Sequence, residues 1–70
     1  MFPITSKKLT TKQIILQVAS DLFMDKGYLS TSTRMIAEAV GITQPNLYHY
    51  FKTKEEIYVA VLEDLGAEVK

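Results

Sequence analysis

The chain has 70 residues, no cysteine, and eight basic and eight acidic side chains that give a net charge of zero. This length makes one small domain of marginal stability, and the lack of cysteine excludes disulfides and thiolate-bound metals. The longest apolar runs are a few residues and no signal-peptide core follows MFPITSKK, so we expect a soluble, cytoplasmic protein with no membrane partner.

The chain begins with a basic arm and a long helix. Residues 1–8 have no apolar periodicity and contain paired lysines, which indicates a flexible arm. The first helix is predicted to start at Thr10, which has capping-box spacing with Gln13, and to stop at Gly27 in a left-handed conformation. Tyr28 should pack back onto this helix. The residues of the first helix that should face the core are Ile15, Val18, Ala19, Leu22 and Phe23.

The next two helices have the spacing of a helix-turn-helix over about residues 32–51. Two helices that cross steeply need a small residue where they touch and a flexible one in the turn, and Ala37 and Gly41 supply these. Thr43 can cap the third helix, which tolerates Pro45 in its first turn. Candidate caps of the second helix are Thr31, Ser32 and Thr33. Residues expected to face inward are Met35, Ile36, Ala39, Leu47, Tyr50 and Phe51.

A fourth helix should begin at a capping box formed by Thr53 and Glu56. Gly66 weakens this helix, but no closing signal follows it up to Lys70. One face carries Ile57, Ala60, Val61 and Leu65, whereas Val59, Leu62 and Val69 should stay partly uncovered. We therefore predict an all-α protein, a small bundle of four helices with a homeodomain-like three-helix core and the start of a long fourth helix. We also expect the chain to be the front piece of a longer protein.

The charges are divided unevenly along the chain. Residues 1–54 hold seven basic and three acidic side chains, a net charge of +4, whereas residues 55–70 hold one basic and five acidic, a net charge of −4. The first part therefore has a field that attracts polyanions, unless the division is ordinary surface scatter.

With these residues in place, the chain resembles the N-terminal DNA-binding domain of the TetR family of bacterial transcriptional regulators over about Leu9 to Val69. The landmarks are Ala19 and Phe23, then Gly27-Tyr28, Thr31-Ser32, Ile36-Ala37, Gly41-Ile42, Leu47-Tyr48, Phe51 and Lys54. The resemblance implies that residues 9–69 are a TetR-type helix-turn-helix domain of a repressor. It also implies that a C-terminal domain for ligand binding and dimerisation is absent from this chain.

The same resemblance implies the partners. A family member binds an inverted-repeat operator in double-stranded DNA as a homodimer, and a small-molecule inducer would act only through the missing C-terminal domain. The chain departs from many members in Gln44-Pro45-Asn46, where they have a small residue, and in the order His49-Tyr50. The base-reading residues are thus specific to this sequence.

Base contacts are expected from the first turn of the third helix, because that turn of a groove-inserted helix meets base edges. The amides of Gln44 and Asn46 can pair with adenine, and Pro45 can touch a thymine methyl. The alternative is that both amides merely cap the helix and face solvent. Arg34 is a candidate for guanine or phosphate, or for an ion pair with Glu38 four residues later.

Phosphate contacts are expected from hydroxyl, imidazole and ammonium groups near the helix ends, since these groups bind phosphate oxygens. For the threonines and the serine, helix capping alone is an equally good explanation. For Tyr48 the alternative is a core aromatic with a hydrated hydroxyl. The candidates are Thr31, Ser32, Thr33, Thr43, Tyr48, His49 and Lys54.

No residue pattern supports an enzyme, a cofactor or a metal. His49 has neither a cysteine nor a second histidine at metal-binding spacing, and the chain is too short to enclose a pocket beside its core. The alternative function is a small helical protein–protein interaction module, which the zero net charge and the uncovered apolar residues of the fourth helix would permit.

Overall fold

The computed structural model describes residues 9–64 and 66, and within them the chain forms four helices. The helices are α1 (Thr11–Lys26), α2 (Thr33–Val40), α3 (Gln44–Tyr50) and α4 (Lys54–Asp64). Helix α1 packs against both α2 and α4, and α3 packs against α2. The predicted all-α bundle is therefore confirmed, while the predictions for residues 1–8, Leu65 and Val69 lie outside the described residues. In the part described, no helix is both long enough and apolar enough to cross a lipid bilayer.

The first helix begins at the predicted capping box. The Thr10 hydroxyl oxygen accepts a hydrogen bond from the Gln13 backbone N–H at 3.1 Å, and the Gln13 side-chain oxygen accepts one from the Thr10 N–H at 2.9 Å. Each bond satisfies an amide that would otherwise have no intrahelical partner. The sequence predicts this pairing because Thr10 and Gln13 are three positions apart.

The other three helices also begin at hydroxyl caps. Ser32, one of the three candidates, caps α2 through the Met35 N–H, and Thr43 caps α3 as predicted. Thr53 accepts from the Glu56 N–H at 3.1 Å, but the Glu56 carboxylate accepts from the Lys52 N–H at 2.9 Å. The predicted box at α4 is therefore only half formed, because Glu56 reaches one residue further back.

Glycines end α1 and α2, in two different conformations. Gly41 has φ 94° and ψ 27°, and the N–H groups of Gly41 and Ile42 both donate to the Ala37 carbonyl oxygen. Gly27 ends α1 as predicted and has the positive φ, 91°, that favours glycine, but its ψ of 156° is extended instead of left-handed helical. The extended ψ carries the chain away from α1 into the loop that precedes α2. No closing role was expected for Gly66, yet α4 ends at Asp64 and the Gly66 N–H donates to the Glu63 carbonyl.

The core draws apolar side chains from all four helices. The buried residues are Ile15, Leu16, Ala19, Phe23, Ile36, Ala37, Leu47, Phe51, Ile57 and Val61. Leu16 was not predicted, although it lies three residues before Ala19 and seven before Phe23 and so shares their buried helical face. The inward prediction for Ala39 is wrong, since that residue is exposed. At about 100° per residue, Ala39 lies roughly 200° around the helix from the buried Ala37.

An aromatic cluster joins the α1–α2 loop to α4. The Tyr28 ring lies 5.5 Å from the Phe23 ring and 5.0 Å from the Tyr58 ring, measured between centroids. Tyr28 therefore packs back onto α1 as predicted. Tyr50, which was expected to face the core, is 41% exposed, so that prediction is wrong. The tyrosines that contribute to this packing are Tyr28, in the loop before α2, and Tyr58, in α4.

Thr31 is buried and stabilises the α1–α2 loop by hydrogen bonds. Its side chain is 1% exposed, and its hydroxyl donates to the carbonyl oxygens of Gly27 at 2.9 Å and Leu22 at 3.3 Å. The Gly27 carbonyl lies beyond α1 and has no helical partner, whereas the Leu22 carbonyl lies four residues before Lys26, the last residue of the helix. The hydroxyl thus stabilises the end of α1.

Thr31→Val should lower the free energy of unfolding by about 1–3 kcal/mol, because valine fills the space of threonine but leaves the Gly27 carbonyl without this donor. Urea denaturation followed by circular dichroism measures the change. Ser30→Ala, at an exposed position in the same loop, is the matched control and should change stability by less than about 0.5 kcal/mol. Equal stability of the two variants would contradict the role given to the Thr31 hydroxyl.

Candidate nucleic-acid interface

The helix-turn-helix holds α3 on the bundle by one face only. Leu47 is the one buried residue within α3, and Phe51 is buried at its end. Pro45 and Asn46 in the first turn are exposed, and Gln44 is half-buried. Helix α3 has seven residues, each of which adds about 1.5 Å to its length. The major groove of DNA, about 12 Å wide, admits a helix. The polar first turn is thus free to meet a ligand.

The side-chain amides of Gln44 and Asn46 differ in their hydrogen bonds. Asn46 uses only its backbone N–H, which donates to the Thr43 hydroxyl, and its side chain makes no hydrogen bond within the described residues. The Gln44 side-chain nitrogen donates to the Thr33 and Tyr48 hydroxyl oxygens, both at 3.2 Å. An amide reads adenine by donating and accepting at once. Asn46 has both groups available for this.

Three candidate residues meet at the outer edge of α2 and α3. The Thr33 and Tyr48 hydroxyl oxygens are 3.1 Å apart, and Gln44 contacts both. We call Thr33, Gln44 and Tyr48 the hydroxyl–amide cluster. Sequence reasoning singled out each residue but missed the cluster. Gln44 and Tyr48 are four residues apart on one helix, which was a usable signal, whereas the contact with Thr33 depends on how α2 and α3 cross.

Thr31 does not belong to this surface. Its hydroxyl is enclosed and already donates to two carbonyl oxygens, so it has no hydrogen for a phosphate. The neighbouring Ser32 is exposed and its oxygen accepts from Met35. Thr43 is likewise exposed and accepts from Asn46. The hydroxyl hydrogens of Ser32 and Thr43 are therefore free to donate while their oxygens cap helices.

Lys54 lies at the start of α4 and is directed to the α1–α2 loop. Its ammonium nitrogen donates to the Tyr28 carbonyl oxygen at 2.7 Å and lies 4.1 Å from the centroid of the Tyr28 ring. Partial burial, together with the neighbouring Glu55 carboxylate, raises the pKa of the Tyr28 hydroxyl. An ammonium has three hydrogens, so one bond leaves donors for a phosphate.

The remaining two candidates are exposed. The Arg34 guanidinium pairs with the Glu38 carboxylate at 3.5 Å, which is the alternative that the sequence left open. Both side chains are mostly in solvent, and such a pair contributes about 0–1 kcal/mol, so a phosphate or guanine could displace it. His49 is exposed in the last turn of α3.

The charge of this part of the chain suits a polyanion. Residues 31–54 contain Arg34, Lys52 and Lys54 against Glu38, which gives a net charge of +2. Beyond Lys54, α4 carries only acidic charges: Glu55, Glu56, Glu63 and Asp64. Residues 31–54 thus carry the net positive charge that attracts an anionic ligand, while Glu55 and Glu56 follow directly at the start of α4.

Comparison with known proteins agrees with this arrangement. Residues 15–61 match the sequence model of the family described as bacterial regulatory proteins, tetR family. The repressor KstR2 of Mycolicibacterium smegmatis is 39% identical over 59 residues, which are 84% of this chain and 29% of KstR2. The regulator RutR of Escherichia coli K12 is 41% identical over 54 residues, which are 77% of this chain and 26% of RutR.

A solved structure gives the same result in three dimensions. The crystal structure of Mycobacterium smegmatis AmtR matches with a TM-score of 0.75 and 50% identity, over 77% of this chain and 26% of AmtR. The chain thus spans less than a third of the length of the relatives it matches. KstR2 is a transcriptional repressor and RutR is a transcriptional regulator. With more than half of its residues inside the family match, the chain belongs to the tetR family of bacterial regulatory proteins.

Proposed function

We propose that this chain is the DNA-binding part of a transcriptional regulator and that it inserts α3 into the major groove of duplex DNA. The observation that carries the proposal is the exposed, polar first turn of α3, which Leu47 and Phe51 anchor from the opposite face. Membership of a DNA-binding regulator family supports it. This arrangement is the one by which helix-turn-helix proteins present a recognition helix.

The side chains that contact bases lie in the first turn of α3 and in α2. The free amide of Asn46 pairs with adenine by donating and accepting together, and Pro45 contacts a thymine methyl. Gln44 lies in the same turn and faces the same groove. Arg34, released from Glu38, offers a planar guanidinium to guanine or to a phosphate. These contacts determine which sequence the domain prefers.

Phosphate contacts fix the domain on the duplex. Tyr48, His49 and Lys54 supply donors at the end of α3 and the start of α4, and the positive end of the α4 dipole adds to them. Hydroxyl hydrogens on the α2 and α3 sides come from Ser32, Thr33 and Thr43. Thr31 takes no part, because its hydroxyl is enclosed.

The whole protein acts as a dimeric repressor in the cytoplasm, where bacterial DNA lies. Two copies hold their recognition helices about 34 Å apart on an inverted-repeat operator, as two-fold helix-turn-helix proteins do. A further C-terminal domain supplies the dimer contact and binds a small-molecule inducer. The length of the relatives and the name of the repressor KstR2 support this proposal.

Salt dependence of duplex binding tests the function. Binding to a mixed-sequence DNA duplex should weaken steeply as salt rises, because each phosphate contact releases counterions. Lys54→Met should weaken binding to all sequences and lower the slope of log affinity against log salt by about one. Tyr48→Phe, which removes an uncharged donor, is the matched control and should leave the slope unchanged. No DNA binding at low salt would favour the protein-interaction module instead.

A further inference from the structure

An open groove lies between the start of α1, the end of α3 and one face of α4. Its volume is about 450 Å³, and it is lined by Lys12, Phe51, Glu55, Glu56, Val59, Ala60 and Glu63. We call it the acidic groove, because three glutamates against one lysine give it a net charge of −2. Val59 is 52% exposed there. An apolar side chain among carboxylates suits a ligand that is both apolar and cationic.

The carboxylates of this groove lack a cation. Within the described residues, the Glu63 side chain forms neither an ion pair nor a hydrogen bond, and the Lys12 ammonium lies over the Phe51 ring, 5.8 Å from its centroid. Glu63 and Asp64 occupy the last turn of α4, which holds no basic residue. That end of a helix is the negative end of its dipole, where acidic side chains are unfavourable and cations are stabilised. A cationic segment on the groove would offset both effects.

Residues 1–8, MFPITSKK, lie outside the described part of the chain, but their sequence has both properties that the groove requires. They contain no acidic residue, and their apolar and cationic side chains include Phe2, Ile4, Lys7 and Lys8. They join the domain at Leu9, three residues before Lys12. Eight extended residues span about 26 Å, whereas Glu55 and Glu63 are about 12 Å apart along α4. The segment is thus long enough to follow the whole groove.

We propose that residues 1–8 bind the acidic groove of the same chain, with lysine ammonium groups against the glutamates and an apolar side chain against Val59. A short tether gives an effective concentration of about millimolar, so a contact too weak to hold a free peptide is populated within the chain. The groove offers carboxylates where DNA offers phosphates. Lysines held by α4 are therefore withheld from a duplex, and the groove competes with DNA for them.

A nitroxide spin label on residue 6 of the 70-residue chain tests the contact without DNA. Ser6→Cys gives a single attachment point, because the chain has no cysteine. The label broadens the NMR signals of nearby amides, which at low salt should be those of Val59, Ala60 and Glu63. Glu63→Lys should reduce this broadening by about half or more, because attraction between opposite charges becomes repulsion. The amide spectrum of each variant also shows that it is folded.

Asp25→Lys is the matched control, since Asp25 is likewise an exposed acidic residue in the last turn of a helix. It makes the same change of charge at the far end of α1 and should leave the broadening unchanged. Val59→Ser should reduce the broadening, since less apolar surface is buried. Equal broadening in Glu63→Lys and Asp25→Lys would overturn the proposal. Broadening centred on the other groove between α1 and α4, near Gln17 and Asp21, would overturn it as well.

Duplex binding tests the competition, and this part rests on the proposed function. The probe is a mixed-sequence duplex of about 30 base pairs, or three helical turns, and affinity is read by fluorescence anisotropy. Glu63→Lys should raise affinity about threefold more in the unchanged chain than in a Lys7→Gln/Lys8→Gln chain, which has no lysines to release. Equal gains would overturn the competition. No duplex binding by any chain would overturn the proposed function as well, whereas the spin-label measurement decides the contact by itself.

Discussion

Leu47→Ala is expected to lower the free energy of unfolding by about 2–5 kcal/mol and to abolish DNA binding. Leu47 is fully buried and is the one buried residue within α3, so its truncation removes the main contact that holds this helix on α2. A domain of this size has a total stability of about 4–10 kcal/mol. Urea denaturation gives the loss, and anisotropy with a duplex probe gives the binding.

Leu29→Ala is the matched control, because it deletes the same atoms from a side chain that is 90% exposed. It should change stability by less than about 0.5 kcal/mol and leave binding intact. If Leu47→Ala kept the stability and the affinity of this control, α3 would have to be held by contacts other than its buried leucine.

Two copies joined in one polypeptide should bind an inverted repeat about 10²–10⁴-fold more tightly than a single copy, because the second binding step becomes intramolecular. A single chain is expected to be mainly monomeric and to bind weakly. A Gly/Ser linker of about 40 residues has an average span of roughly 35 Å, which matches successive major grooves. The duplex carries a half-site selected by its binding to the single chain from a pool of randomised duplexes, placed twice in inverted orientation.

Moving one half-site by about five base pairs puts it on the opposite side of the duplex and is the control for geometry. The gain should largely disappear in that duplex and in one with the second half-site scrambled. Equal affinity of the single and joined chains for the correctly spaced repeat would contradict reading of two half-sites by two copies.

Features that depend on neighbouring residues in the chain could be predicted from the sequence. The caps at Thr10 and Thr43 and the turn at Gly41 each rest on a few consecutive residues, and all three are confirmed. The predicted burial of Leu47 and Phe51 is confirmed as well. In a short polar segment, the few apolar side chains can be buried only on the face that contacts the rest of the domain.

Features that depend on how helices meet could not be predicted in this way. Leu16 and Ala39 are not among these features, since helical periodicity alone places Leu16 on the face of Ala19 and Phe23 and turns Ala39 away from Ala37. Thr31 was predicted to contact phosphate, but the loop places its hydroxyl against the carbonyl oxygens of Leu22 and Gly27. Within the candidate site, the sequence supplied the residues, but the contact between Thr33 and Tyr48 joins positions that are far apart in the chain.

The turn at Gly41 imposes a requirement of chirality, not of size. A side-chain carbon added there would meet no atom within 4 Å, so the site has room for one. What opposes an L-residue is the φ of 94°, which a residue of the opposite hand would adopt without strain. Among the genetically encoded residues only the achiral glycine escapes this penalty. The angle between α2 and α3 therefore depends on a residue whose essential property is that it has no mirror image distinct from itself.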